Sequence, residues 1–84
     1  MRVYKKASEL LTDDPIEQEI MTLKFSLMNQ VLDLIKEKNL TQVKAAQALK
    51  VSQPRISRLS CGRASEFSIT WLMKAKLSLQ KVGL

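Results

Sequence analysis

The chain has 84 residues, 45% of them apolar but only 5% aromatic, with a net charge of +6, one cysteine and no histidine. At this size it forms one domain at most, with a small core of aliphatic side chains that favours helices. The lone Cys61 excludes an internal disulfide, and the lack of histidine excludes a Cys/His metal set and a Ser/His or Cys/His catalytic pair, so no enzyme, metal or cofactor is expected.

Residues 1–13 read as a flexible N-terminal segment, set apart from a domain at 14–84 by Thr12-Asp13-Asp14-Pro15. Val3, Ala7, Leu10 and Leu11 fall at helical spacing, yet so short a segment is marginal as a helix in water and is expected to order on a partner. Asp14 can cap a helix whose first position is Pro15, with Glu17 where a capping box needs a carboxylate. Nothing interrupts that helix to about Lys38, a length of roughly 36 Å. Two apolar stripes run along it. One is Ile16, Ile20, Leu23, Leu27, Val31 and Leu34; the other is Met21, Phe25, Met28, Leu32 and Ile35. Either both are core, or one of them meets a dimer mate or another partner. Lys36 and Lys38 suit the helix C-terminus, and Asn39 tolerates the left-handed conformation that ends a helix.

Thr41 is expected to cap a second helix, Gln42–Leu49, and Ser52 a third, Gln53–Ser60, with Pro54 in its first turn and Gly62 closing it. Residues 63–67 read as a loop. Ser68 can cap a fourth helix, Ile69–Gln80, ended by Gly83, with Ile69, Leu72, Met73 and Ala75 inward and Trp71 on another side, where it packs or meets a partner. Cys61 reads as a small hydrophobe and not as a redox switch. With no convincing strand, the expected fold is all-α, a small bundle of about four helices with an elongated first helix.

The run at 41–62, TQVKAAQALKVSQPRISRLSCG, has the pattern of a DNA-binding helix-turn-helix, in which one helix braces the next across a short turn. Ala46 stands at the close crossing, and Ala45, Leu49, Val51, Ile56 and Leu59 occupy the other inward offsets. Charge agrees with this reading. Residues 1–35 carry net −2, whereas residues 36–84 hold ten basic side chains against Glu37 and Glu66. The basic half is expected to attract a polyanion, with nucleic acid favoured over a membrane surface because no basic amphipathic helix has a lipid-facing stripe. Nor is any apolar run long enough for a signal peptide or a membrane span, so a cytoplasmic, nucleoid-associated protein is expected.

Residues 40–62 resemble the Xre/Cro family, the fold of the lambda and 434 repressors, and the resemblance extends more weakly over 14–79. It implies that Gln42, opening the second helix, contacts phosphate and braces a base-reading side chain, Gln53. One position departs: the turn residue usually held by glycine is Lys50, at a cost of roughly 1 kcal/mol if the backbone is left-handed there. A narrower resemblance runs from end to end. Asp-Asp-Pro-x-Glu, the long first helix, Leu-Thr-Gln, Val-Ser-Gln-Pro-Arg-Ile-Ser and the late Phe-Ser are similar to HigA-like antitoxins of modules with a RelE-type toxin. Val43 stands in place of their usual acidic residue, and Ser60-Cys61 in place of a more polar pair.

For recognition, Gln53, Arg55 and Ser57 are placed to meet base edges in the major groove. Gln can bind adenine and Arg guanine through two hydrogen bonds each. Gln42, Lys44, Lys50, Ser52, Arg58 and Arg63 are expected on the DNA backbone. One recognition helix is a small footprint, so a homodimer on a palindromic operator is expected. Two activities follow from the resemblance: repression of its own operon, and neutralisation of a RelE/HigB-like toxin through residues 1–13 and the long helix. The alternative is a stand-alone or phage-type Xre/Cro regulator without a toxin. RNA binding ranks below both, since the basic half lacks aromatic stacking platforms.

Overall fold

A computed structural model of the protein describes residues 14–81. They form four helices, α1 (Pro15–Glu37), α2 (Gln42–Leu49), α3 (Gln53–Ser60) and α4 (Ile69–Gln80), with a single 3-10 turn at Ala64–Glu66 before the last. The expected N-terminal segment at 1–13 and the closing Gly83 lie outside the described residues.

Local chemistry explains where the helices start. An Asp14 carboxylate oxygen accepts the N–H groups of Ile16 at 2.9 Å and Glu17 at 3.5 Å, and Pro15 occupies the first turn, where its missing N–H costs nothing. Thr41 Oγ1 accepts the Lys44 N–H at 3.1 Å, and Ser68 Oγ accepts the Trp71 N–H at 3.0 Å. Ser52 holds the extended backbone of a cap but its side chain makes no capping bond.

The first three helices all stop in the same way. After α1, the N–H groups of Asn39 and Leu40 return to the carbonyls of Lys36 and Ile35, both at 3.0 Å. After α2, Lys50 and Val51 return to Gln47 and Ala46; after α3, Gly62 and Arg63 return to Leu59 and Arg58. Each is a Schellman closure, which needs one left-handed residue. Asn39 (φ 54°), Lys50 (φ 58°) and Gly62 (φ 80°) supply it. Glycine does so without penalty, asparagine cheaply, and lysine only against a Cβ clash.

The main core joins α1 to α4. Phe25, Leu27, Met28, Val31 and Leu32 of α1 are buried with Leu72, Ala75 and Leu79 of α4, Leu59 of α3, and Ala64 and Phe67 around the 3-10 turn. Ala45 and Ala46 of α2 and Ile56 of α3 form a smaller cluster, with Leu40, Leu49 and Val51 packed partly buried against it.

Three expectations are corrected by this packing. The segment at 63–67 is not a plain loop, since its 3-10 turn sinks Ala64 and Phe67 into the core. Met73 is not inward: it is 45% exposed, and Leu79 completes the buried face that begins at Leu72 and Ala75. Those three follow one another at steps of three and four residues, whereas Met73 falls well round the helix from them. The first stripe of the long helix, finally, is neither wholly core nor wholly surface but divides along its length. Leu27 and Val31 are buried, yet Ile16, Ile20 and Leu23 are 71%, 42% and 48% exposed.

Candidate nucleic-acid interface

The interface begins with the turn between α2 and α3. Burial of Ala45, Ala46 and Ile56, with Leu49 and Val51 beside them, presses the two helices together where small side chains permit close approach. On α3, Ile56 and Leu59 point inward, which turns Gln53, Pro54 and Arg58 to solvent with Ser57 half-exposed at their side. The exposed edge of α3 therefore holds Gln53, Pro54, Ser57 and Arg58.

Gln53 is held before any ligand arrives. Its Nε2 donates to Gln42 Oε1 at 2.8 Å, linking the first residues of α3 and α2. The bond consumes one donor of Gln53 and leaves its amide carbonyl and a second N–H for another partner. It also limits the rotamers open to the Gln53 side chain.

Arg55 lies on the flank of α3 that faces α4. Its guanidinium sits 4.6 Å from the Phe67 ring centre and 4.9 Å from that of Trp71, and the two rings are themselves 5.1 Å apart at 43°. One Nη2 donates to the Glu66 carbonyl at 3.4 Å. Arg55 is only half-exposed in this cradle. Stacking occupies the face of a guanidinium but leaves N–H donors along its edge. Trp71 is thereby half-buried packing, with a polar neighbour.

The other residues expected on the DNA backbone are accessible. Lys44 and Lys50 are exposed, Ser52 is exposed at the α3 start, and Gln42 is half-exposed. Arg58 Nε lies 3.7 Å from one Glu66 carboxylate oxygen, and Arg63 Nε lies 3.9 Å from the other. Cys61, read from sequence as a small hydrophobe, is instead an exposed free thiol at the C-cap of α3. Sequence reasoning missed the parts played by Phe67, Trp71, Glu66 and Pro54. Pro54 was visible from helical geometry, one step round from Gln53. The contacts of Arg55 with Glu66 and Phe67 cross a turn that no periodicity announces.

Among the described residues, no helix is long and apolar enough to cross a membrane, and no group of three or more acidic, Cys or His side chains is assembled to hold a metal ion. No curated protein and no solved structure matches the chain. A family model described as a helix-turn-helix domain matches residues 10–83. With its two short helices packed across a tight turn, and a match over nearly its whole length, the chain belongs to the helix-turn-helix domain family, a DNA-binding architecture.

Proposed function

We propose that this protein is a sequence-specific transcriptional repressor that binds a palindromic operator as a homodimer, α3 of each protomer entering the major groove. The observation that carries the reading is the Gln42–Gln53 hydrogen bond, which prepares an amide at the exposed start of α3. Gln53 and Ser57 meet base edges, and Arg55 joins them through the edge of its stacked guanidinium. Gln42, Lys44, Lys50, Ser52, Arg58 and Arg63 hold the sugar-phosphate backbone, where Ser52 and the N-terminus of α3 suit a phosphate.

Selection of bound sequences from a random duplex pool, followed by a mobility-shift comparison of wild type with Gln53→Ala, Arg55→Ala and Lys81→Ala, tests this. Loss of a good two-bond contact costs about 1–3 kcal/mol in discrimination, so each α3 variant is expected to lose roughly tenfold or more on the selected site. Lys81→Ala, at the far end of α4, is expected to bind as wild type does. An unchanged Arg55→Ala affinity would remove that residue from the reading set.

A second activity in the same molecule is supported by a different observation. Ile16, Ile20 and Leu23 form an exposed apolar face on the first half of α1, beside Glu19, Thr22 and Ser26. An exposed apolar patch of this kind suits a contact with another protein. Together with the resemblance to HigA-like antitoxins, it supports a type II antitoxin that autoregulates its operon and neutralises a RelE/HigB-like toxin through this face and residues 1–13. Co-purification with the neighbouring gene's product, using wild type, an Ile20→Asp variant and a chain lacking residues 1–13, checks it. Undiminished capture by both variants would leave a stand-alone or phage-type Xre/Cro regulator as the better reading.

A further inference from the structure

Between residues 38 and 81 the chain carries nine basic side chains and one carboxylate, Glu66. That carboxylate is not set apart from the DNA face but placed against it. It ends the 3-10 turn, and its two oxygens face different arginines, Arg58 on the exposed edge of α3 at 3.7 Å and Arg63 just past the left-handed Gly62 at 3.9 Å. A phosphodiester offers the same thing to a protein, two equivalent anionic oxygens on one centre, and arginine is suited to both acids.

We propose that Glu66 is an internal stand-in for a DNA phosphate, an anionic latch that the backbone of the duplex must displace to engage Arg58 and Arg63. The proposal rests on the DNA-binding reading above and adds to it a residue that sets specificity without touching a base. Both pairs are longer than direct hydrogen bonds, and the arginine side chains are 50% and 66% exposed, so the latch is weak and exchangeable. Weakness suits the role, because a buried pair would be too costly to open at each encounter. Non-specific binding consists almost wholly of phosphate contacts, whereas specific binding adds base contacts. Competition for two arginines therefore subtracts proportionally more from the former.

Glu66→Gln preserves the size of the side chain and the main-chain carbonyl used by Arg55 while removing the charge. Binding of a short random-sequence duplex, followed by fluorescence anisotropy across a range of salt, is expected to tighten by roughly three- to fivefold, with the logarithmic salt slope steeper by about one. Glu37→Gln, the same charge change outside the arginine cluster, is expected to give a smaller gain. The Glu66→Gln gain should vanish when Arg58 and Arg63 are both alanine. An unchanged or weakened affinity, a gain equalled by Glu37→Gln, or a gain that survives loss of both arginines would each overturn the latch. A measurement on the wild-type chain does not depend on any variant folding. The Nε–H signals of Arg58 and Arg63 in a nitrogen-proton correlation spectrum should shift as duplex is added, and signals that stay in place would overturn the latch as well. Failure of the wild-type chain to bind any duplex would instead bring down the DNA-binding reading and the latch with it.

Discussion

Lys50 ends α2 in a conformation that suits glycine better than lysine. Its backbone is left-handed at φ 58°, ψ 43°, where α2 stops and the turn into α3 begins. Replacing it with glycine relieves the Cβ clash, so Lys50→Gly is expected to stabilise the fold by up to about 1 kcal/mol in urea unfolding. If Lys50 meets a phosphate, the same variant should flatten the salt dependence of duplex binding by about one unit of slope. A stability gain with an unaltered slope would identify Lys50 as a strained turn residue without a DNA contact. Gln42 and Gln53 make a sharper test of preorganisation. A double-mutant cycle of Gln42→Ala and Gln53→Ala on operator affinity is expected to show a coupling of about 0.5–1.5 kcal/mol, the worth of one such bond. Arg55 is anchored by two rings as well as by the Glu66 carbonyl. Arg55→Ala is therefore expected to cost about 1–2 kcal/mol of folding stability in addition to any loss of DNA affinity. Full thermal stability in Arg55→Ala would show that the cradle contributes nothing to holding α3 against α4.

At the scale of elements, α1 divides into two halves with different work. Its later turns carry Leu27, Met28 and Val31 into the core, and its first turns carry Ile16, Ile20 and Leu23 to the surface. The division has a simple cause. α1 has 23 residues and α4 has 12, so at about 1.5 Å per residue the partner helix is only about half as long and leaves part of α1 uncovered. Leu27→Ala is expected to destabilise the fold by about 2–5 kcal/mol, whereas Ile20→Ser should change it by less than about 0.5 kcal/mol. Chemical denaturation of the two variants checks the contrast. Equal losses would mean that the first turns of α1 are buried in solution, as a dimer contact would bury them. The caps were the most legible features of these elements. Asp14, Thr41 and Ser68 each precede an apolar helical pattern, and their oxygens are found on the N–H groups two or three residues ahead. Such bonds are local, so spacing is enough to foresee them.

At the scale of the whole molecule, a chain of this size has only roughly 4–12 kcal/mol of stability to distribute, and its basic half is expected to attract a polyanion. If two protomers bind a palindrome, their α3 helices must lie about 34 Å apart, one turn of the duplex. Sedimentation of the protein with a selected duplex is expected to give two chains per site. What the sequence by itself determined is the charge asymmetry, a matter of composition, and whatever depends on neighbours three or four residues away: the four helices, the caps at Asp14, Thr41 and Ser68, and the left-handed stop at Asn39. The spacing of the alanines and aliphatic residues in 41–62 likewise pointed to paired helices, because helical periodicity is written into the chain. Only the tertiary structure decided which part of the α1 stripe is covered, that Leu79 and not Met73 faces inward, that Arg55 leans on Phe67 and Trp71, and that Glu66 stands among the arginines. These depend on where α4 ends against α1 and on how a three-residue turn folds back on α3. Contacts made across such a turn leave no period in the sequence, since the backbone that brings the residues together is itself placed by the core beneath it.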